Sequence, residues 1–281
     1  MRFLSLFLNT FLVLPFLIFS TVKDCTLVDI EMKKKGVNPY HVNWKKEPVV
    51  VIVDTLDMEN VSIINITNPN GRVDIEKSDD GKVKVEYKIF KRYGRVDTTG
   101  LIEKRYSDGR IFINVKRRKY VSVDIELLAP SPDTILVEGV NNQIRIDCDI
   151  EDMEISTVNA KVDFTGNGKQ MDIDIVNGVV NLDSDCGSMG VDLVDGKVSG
   201  EVQVKDSMHV NLVNGSVKLG IKGEDYKIHA KTNSGTIKLE GFKNPDVSRR
   251  FSSMEVNVST GDGEIPMEIL VTNGVIELER R

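Results

Sequence analysis

The chain has 281 residues, of which 40% are hydrophobic and 28% charged, and its net charge is −6. This length provides for one large or two modest domains and excludes a mini-protein. The balance of 37 basic and 43 acidic residues excludes a disordered chain and a generally nucleic-acid-binding chain. With 22 glycines and only 6% aromatic residues, the composition favours many short strands separated by turns.

The N-terminal segment predicts export. Residues 3–19 are almost wholly apolar and are followed by the small Ser20, which is typical of a secretory signal cleaved near residue 20. Residues 1–22 are also long enough to remain as an uncleaved membrane anchor, although Pro15 would disturb such a helix. Lipid attachment at Cys25 is a third alternative, but charged residues precede it where a lipobox needs small ones. We expect an exported protein, either extracellular or in the cell envelope.

The next part of the chain predicts an N-terminal β region. Residues 21–47 are interpreted as a linker and residues 48–130 as a region of longer strands. The strands are expected at residues 48–54, 61–67, 71–75, 82–91, 110–115 and 120–128. Asn70-Gly71, Asp80-Gly81 and Asp108-Gly109 are typical turn pairs between them.

A run of basic residues lies within this region, between Tyr87 and Tyr120. Its densest part is Lys116, Arg117, Arg118 and Lys119. Such a run commonly serves as a solvated hairpin loop or as protection of an edge strand. The functional alternative is a patch for an anionic polymer or for lipid headgroups. No DNA- or RNA-binding motif accompanies the charge, so we predict no nucleic-acid partner.

From about residue 130 the sequence repeats an alternation of apolar and polar residues around Asn-Gly. Two clear copies are Ile173-Asp-Ile-Val-Asn-Gly-Val-Val-Asn-Leu182 and Val210-Asn-Leu-Val-Asn-Gly-Ser-Val-Lys-Leu219. The position of the glycine, which we call the marker, recurs in steps of 18, 18, 18, 19, 20, 28 and 11 at Asn142, Ala160, Gly178, Gly196, Gly215, Gly235, Gly263 and Gly274. A period of about 18–20 residues is typical of a solenoid, whose units bury their apolar faces by stacking. The short last step indicates a terminating hairpin.

The alternation also predicts which side chains are buried. The residues 7, 5 and 3 positions before each marker and 2 and 4 positions after it are apolar or small, which gives two half-buried strands per unit. The residues between them are expected to face solvent. Met153, Met171, Met189 and Met208 recur at the first of the buried positions, so we predict core residues rather than ligands for a metal.

An Asn-Gly pair between alternating strands fits either a type I′ hairpin or the corner of a β-helix. The near-constant step favours the corner, with layers stacked ~4.8 Å apart. The marker glycines would supply left-handed backbone there, and Ala160 would be strained. The residues before the markers are expected to form a structural corner ladder of hydrogen-bonded side chains: Asn141, Asn159, Asn177, Asp195, Asn214 and Asn273.

Three stretches in this order resemble a known family. They are Ile66-Thr-Asn-Pro-Asn-Gly-Arg-Val-Asp-Ile75, Val83-Lys-Val-Glu-Tyr-Lys-Ile89 and Val123-Asp-Ile-Glu-Leu-Leu-Ala-Pro130, followed by the Val-Asn-Gly repeats. Over about residues 59–280 the chain is similar to the bacterial "putative adhesin" domain of unknown function. The resemblance implies a single-stranded, right-handed β-helix on an exported or membrane-tethered protein, with no catalytic residues to carry over. Some relatives resemble accessory proteins of envelope-stress and anti-sigma systems.

Because β-helices include polysaccharide-cleaving enzymes, carboxylate pairs need attention. Asp183, Asp185 and Glu201 are acidic and close in the repeat, but they occupy outward positions that the pattern makes polar in any case. The cysteines and histidines have no metal-ligand spacing, and the calcium-binding nonapeptide is absent. Cys148 and Cys186 lie two layers apart, ~9.6 Å, which is too far for a disulfide. We predict no catalytic residue, no metal and no cofactor.

The prediction is therefore an all-β protein, with residues 131–281 forming a β-helix or solenoid of 18–20-residue coils after the N-terminal β region. The predicted function is a non-enzymatic, exported surface or scaffold module that binds wall polysaccharide, another envelope protein or itself. The alternatives are a membrane-tethered accessory of envelope-stress signalling and a polysaccharide-active enzyme. A membrane partner is expected only if residues 1–22 remain uncleaved.

Overall fold

The computed structural model describes residues 47–58, 60–92 and 97–281. Within these ranges the secondary structure consists of strands, bends and turns and includes no helix, so the all-β prediction is confirmed. Accordingly, the same ranges contain no helix long and apolar enough to cross a bilayer. The predicted signal or anchor in residues 1–22 lies outside the described residues, as does all but the end of the 21–47 linker.

Twelve strands make up the described part of the chain. They are β1 (Val50–Leu56), β2 (Ile63–Lys77), β3 (Val83–Lys91), β4 (Ile102–Ser107), β5 (Arg110–Val115), β6 (Val121–Ala129), β7 (Thr134–Asp147), β8 (Asp152–Ile221), β9 (Tyr226–Glu240), β10 (Asp246–Arg250), β11 (Ser253–Ser259) and β12 (Ile265–Arg280).

The strands form one mixed sheet in the order β1-β3-β6-β2-β7-β8-β12-β9-β11-β10. The middle of this sheet, from β6 to β9, is parallel. Both ends are antiparallel, with β1 and β3 at one end and β11 and β10 at the other. β5 pairs with β2 in parallel and with β4 as a hairpin, so the β4–β5 hairpin lies off the main path.

In the parallel middle of the sheet, strands pair at the spacing of the sequence period. β7 and β8 lie in register with an offset of 18 residues, so that Asn142 is opposite Ala160. β8 runs for 70 residues without interruption. Along it, side chains 18 or 19 residues apart are hydrogen-bonded to each other, as Asn177 is to Asn159. Each step of 18 or 19 residues therefore adds one layer to the sheet.

The last layers do not follow the order of the chain. β12 lies between β8 and β9, and Gly274 is paired with Gly215 on one side and with Gly235 on the other. The chain leaves β9, forms the β10–β11 hairpin and returns to insert β12. The interpretation of the 11-residue step as a terminating hairpin is therefore wrong, because Gly263 lies in the connection before β12 rather than in a layer.

The core occupies the positions that the alternation predicted. The four methionines at the first of these positions are each no more than 2% exposed: Met153, Met171, Met189 and Met208. Leu239 and Ile265 are only partly buried, and so are the two predicted positions that hold glycine, Gly139 and Gly200. The confirmed residues after the methionines are Ile155, Thr157, Ile173, Ile175, Val191, Leu193, Val210, Leu212, Ile228, Ala230 and Thr232, and those after the markers are Ile144, Ile146, Val162, Phe164, Val180, Leu182, Val217, Leu219, Ile237, Ile276 and Leu278.

A clash with the carbonyl group of the neighbouring layer requires glycine at these markers, and at some of them the backbone conformation requires it as well. At Gly215 and Gly274 the backbone φ angles are +141° and +152°, which a residue with a Cβ adopts only with strain. At Gly178 and Gly196 φ is not positive, but a Cβ would collide with the carbonyl group of the preceding layer. The expectation of left-handed backbone is thus right for some markers and wrong for others.

The two non-glycine markers fit without a left-handed backbone. Neither Asn142 nor Ala160 has positive φ, so the strain expected at Ala160 is not present. The Asn142 side chain turns into the protein and donates a hydrogen bond of 2.9 Å to the carbonyl oxygen of Asn68. The Asn142 side chain lies over Gly139. A Cβ on residue 139 would collide with this side chain, at 1.8 Å from Asn142 Oδ1.

The N-terminal strands continue the same sheet. Asn70-Gly71, predicted as a turn between two strands, lies inside the single strand β2, and Gly71 is paired with Asn142. β4 was not predicted, although its turn to β5 at Asp108-Gly109 was, and both of those residues have positive φ.

A polar network joins the two outer strands β1 and β4. The hydroxyl of Tyr106 donates to Asp54 at 2.7 Å, and the ammonium of Lys104 lies 2.5 Å from the same carboxylate. The Tyr87 and Tyr106 hydroxyl oxygens are 2.6 Å apart, and burial raises the pKa of Tyr87 to about 12. These contacts hold the β4–β5 hairpin to β1 without backbone pairing between β1 and β4.

Candidate functional site

The predicted corner ladder lies on the outside of the parallel layers. Each Nδ2 atom donates to the Oδ1 atom of the layer before it: Asn159 to Asn141 at 2.9 Å and Asn177 to Asn159 at 3.1 Å. Asn141 in turn donates to Asn70 at 2.7 Å. Asn70 was not included in the predicted ladder, although its Asn-Gly pair carries the same signal as the markers.

Asp195 interrupts the ladder. Asn214 donates to Asp195 at 2.7 Å, and Asn273 donates to Asn214 at 2.9 Å. An ionised aspartate has no hydrogen to donate. Within the described ranges no hydrogen bond joins Asp195 to Asn177, so the ladder consists of one run of three bonds and another of two.

Two further columns of polar side chains follow the same register. Asn181 donates to Asp163 at 2.7 Å, and Ser199 donates to Asn181 at 2.8 Å. In the other column, Asn211 donates to Asp192 at 2.7 Å. The outward side chains of successive layers are thus fixed in rows by hydrogen bonds between layers.

One cluster of titratable groups stands out on this surface. It consists of Asp172, Asp174, Asp192 and His209, here called the carboxylate–histidine cluster, and Asp172 and His209 lie beside Gly190. The missing side chain of Gly190 leaves space there, since a Cβ would lie 2.6 Å from Asp172 Oδ1 and 2.7 Å from His209 Cε1. His209 Nε2 is 3.7 Å from Asp192 Oδ2, and all of these side chains come from β8.

The environment moves the pKa values of this cluster in opposite directions. Burial raises the pKa of Asp174 to about 6, and the negative charges of Asp192 and Asp172 add to the effect. Burial also disfavours ionised Asp192, but its contacts with His209 and Asn211 outweigh burial and lower its pKa. The contact with Asp192 raises the pKa of His209.

Two neighbouring carboxyl groups with opposed shifts provide a proton donor and a proton acceptor at weakly acidic pH. As pH falls, the cluster also loses negative charge, because His209, with its raised pKa, takes up a proton and Asp174 takes up another near pH 6. Sequence reasoning placed these residues only among outward positions. Their proximity depends on the 18- and 19-residue steps, which place Asp174, Asp192 and Asn211 in one column.

The carboxylates singled out from the sequence have a different environment. Lys222 lies 3.3 Å from Asp183 and 3.3 Å from Glu201. The two carboxylates are therefore ion-paired with the same ammonium group. Asp185 is half-buried on the same strand.

Metal-ligating groups do not converge in the described ranges, which contain no set of three His, Cys, Asp or Glu side chains placed to hold a metal ion. Cys148 and Cys186 are buried free thiols, as the layer spacing predicted. Burial raises their pKa values to about 12 and about 11.

The predicted basic patch is partly neutralised. Lys116 lies 2.6 Å from Glu103, and Arg118 lies 3.5 Å from Asp97 and donates to the Asp97 carbonyl oxygen. Lys119 lies over the ring of Tyr120, 5.1 Å from its centre. Arg117 is exposed. The four residues therefore do not form an array of free positive charges.

A groove of about 370 Å³ lies on the outer face of β2, β3 and β6. Its side chains carry both signs of charge and are largely paired: Arg72 with Asp74 at 2.6 Å, and Lys88, beside the groove, with Glu126 at 2.5 Å. Burial raises the pKa of Asp74 despite its contact with Arg72. The lining residues are Arg72, Asp74, Glu76, Lys84, Glu86, Glu126, Leu127 and Leu128.

No protein-family model matches the sequence, and no curated protein is significantly similar to it. Among solved structures, the chain is similar to a "putative adhesin" from Bacteroides fragilis, with 14% identity, a TM-score of 0.41 and coverage of 83% of this chain and 98% of that chain. A "putative lipid binding protein" from Parabacteroides distasonis has 12% identity, a TM-score of 0.41 and coverage of 83% and 98%. A "putative adhesin" from Parabacteroides merdae has 9% identity, a TM-score of 0.38 and coverage of 83% and 97%. These structural similarities have TM-scores below 0.5, and we draw no conclusion about fold or function from them.

Proposed function

We propose that the protein is a non-enzymatic, exported surface module of the cell envelope, built as a right-handed β-solenoid of 18–19-residue coils, whose side binds an extended partner. The preferred partner is wall polysaccharide. In this proposal each layer of β7, β8, β12 and β9 is one coil.

The observation that supports binding is the register of the outward side chains. Rows such as Asp163–Asn181–Ser199 and the corner ladder present a polar, hydrogen-bonded side chain in layer after layer, with hydrogen bonds of 2.7–3.1 Å between neighbours. Adjacent layers of a sheet are ~4.8 Å apart. A rigid array with a short, constant repeat suits an extended polymer, because the same contact is made several times at little entropic cost.

A pull-down with insoluble wall polysaccharide tests this proposal. Ser156 is exposed in the column that continues through Asp192 and Asn211, and Ser131 is exposed in the loop between β6 and β7. Ser156→Trp should reduce binding at least about tenfold by blocking the array, whereas the matched Ser131→Trp should bind like the parent chain. Equal binding by both variants, or no binding by the parent chain, would contradict the proposal.

Export is tested separately by cell fractionation with intact-mass analysis. A released chain beginning near Thr21 supports the surface module. A full-length chain in the membrane fraction supports the alternative, a tethered accessory of envelope-stress signalling.

A second candidate function rests on the opposed pKa shifts of Asp174 and Asp192. These would make the carboxylate–histidine cluster the acid–base pair of a polysaccharide-active enzyme, in place of Asp183 and Asp185. Release of soluble sugar from wall polysaccharide, abolished by Asp174→Asn and retained by Asp183→Asn, is the result that would favour it.

A further inference from the structure

The β10–β11 hairpin ends the sheet at the side farthest from β1. Arg250 is paired with Ser253, so that Phe251 and Ser252 form a two-residue turn at the tip. All five residues of β10 are exposed, and β10 pairs with β11 alone. The hairpin therefore presents its tip to solvent beyond the last layer of the core.

Phe251 is an unusual residue for this position. Its side chain is fully exposed, with a relative accessibility of 112%. Its φ angle is +54°, a conformation that is unfavourable for a bulky residue. The first of the two turn residues has positive φ and the second does not, which is the sign pattern of a type II′ turn, and that position favours glycine. Phenylalanine thus destabilises the turn and exposes an aromatic ring without any compensating contact in the described part of the chain.

The charges beside the ring are positive. Arg249 and Arg250 precede Phe251, are exposed, and form no ion pair within the part of the chain that the structure describes. The nearest acid on the partner strand, Glu255, contacts His229 at 3.3 Å and Lys231 at 3.9 Å on the other side of β11. The nearest acid on β10 is Asp246, at the opposite end of the strand, ~13 Å away along the backbone.

We propose that the tip of the β10–β11 hairpin inserts Phe251 into the interface of an anionic lipid bilayer, with Arg249 and Arg250 on the phosphate groups. Exposed aromatic rings flanked by basic residues are typical of side chains at the headgroup level. The tip is two residues wide and convex, so it offers no groove for a protein segment. This contact is independent of polysaccharide binding by the side of the sheet.

A tryptophan at the tip reports directly on insertion. Phe251→Trp is introduced together with Trp44→Phe, which removes the chain's single native tryptophan. With vesicles of phosphatidylglycerol and phosphatidylcholine, the emission of the introduced indole should shift to the blue and be quenched by brominated lipid, because the ring leaves water. This readout reports the tip alone and is unaffected by any membrane contact of residues 1–46.

Phe251→Gly separates insertion from folding. Glycine suits the positive φ, so the variant should unfold at the same temperature as the parent chain or higher. Its vesicle binding should nevertheless fall about tenfold. Val213→Ser is the control, since Val213 is also an exposed apolar residue but lies on β8 with no basic residue beside it in the sequence. This control should bind vesicles like the parent chain.

The arginines are tested by the double variant Arg249→Gln, Arg250→Gln. Its partitioning onto anionic vesicles should fall about 30-fold and become insensitive to salt. An unshifted emission of the tip indole with anionic vesicles would overturn the proposal. So would an emission shift that depends on protein concentration without vesicles, which would assign the tip to a protein contact.

Discussion

Gly196→Ala should destabilise the protein by the direct collision of two layers. A Cβ on Gly196 would lie 2.9 Å from Leu193 Cδ2 and 3.0 Å from the carbonyl carbon of Gly178, and closer still to that carbonyl oxygen. The backbone of the preceding layer cannot rotate away as a side chain would. Overpacking of this kind costs about 1–3 kcal/mol, and we expect about 3 kcal/mol because the obstacle is backbone. For a domain of this size that lowers the Tm by about 6–12 °C.

The matched control is Gly220→Ala. Both glycines have non-positive φ, but the atoms nearest to a Cβ on Gly220 belong to the flexible side chains of Arg281 and Glu201, at 3.2–3.3 Å. Alanine also lowers the entropy of the unfolded chain, so Gly220→Ala should change stability by less than about 1 kcal/mol. Urea unfolding followed by circular dichroism measures both. Equal stability of the two variants would show that Gly178 and Gly196 are not stacked.

Three further perturbations test other parts of the structure. Asp195→Asn supplies the missing hydrogen-bond donor to Asn177, so it should raise the free energy of unfolding by about 1 kcal/mol at neutral pH. Urea titration measures this change, and a loss of stability would refute the ladder. Asp174 has a folded-state pKa of about 6, above its unfolded value, so its contribution to stability is greatest in acid and is lost as pH rises through 6. Asp174→Asn should therefore stabilise the protein at pH 7.5, by an amount that shrinks as pH falls from 6 towards the ordinary carboxyl value of 3.8, whereas a pH-independent effect would contradict the shift. Cys148 and Cys186, with pKa values raised to about 12 and about 11, should react with iodoacetamide only after unfolding, and rapid labelling of either of these two residues in the native chain, located by peptide mass analysis, would contradict their burial.

Much of the fold follows from the sequence because burial in a sheet has a period of two. The alternation around the markers identified the core, and the 18-residue step placed Asn142 opposite Ala160. The reason for the corner glycines was only half right. Close approach of the preceding layer requires glycine at both Gly196 and Gly215, and only Gly215 has positive φ as well, a difference that sequence spacing does not reveal.

The order of the last layers could not be read from the sequence. Counting residues between markers treats neighbours in the chain as neighbours in space, but β12, which follows the β10–β11 hairpin in the chain, lies between β8 and β9. The candidate site was missed for a related reason. Asp174, Asp192 and His209 become neighbours only after three layers are aligned, and the pKa shifts depend on burial that the sequence does not reveal.

The most direct test of this account is a pair of spin-label distances along one column of outward residues. Labels at Lys161 and Val275 are four layers apart, ~19 Å, and labels at Lys161 and Thr236 are five layers apart, ~24 Å, because β12 precedes β9 in the stack. The account predicts that the Lys161–Thr236 distance, measured by double electron–electron resonance, is the longer of the two. A longer Lys161–Val275 distance would show that the layers stack in chain order. Distances that are not multiples of the layer spacing would contradict the stacked architecture itself.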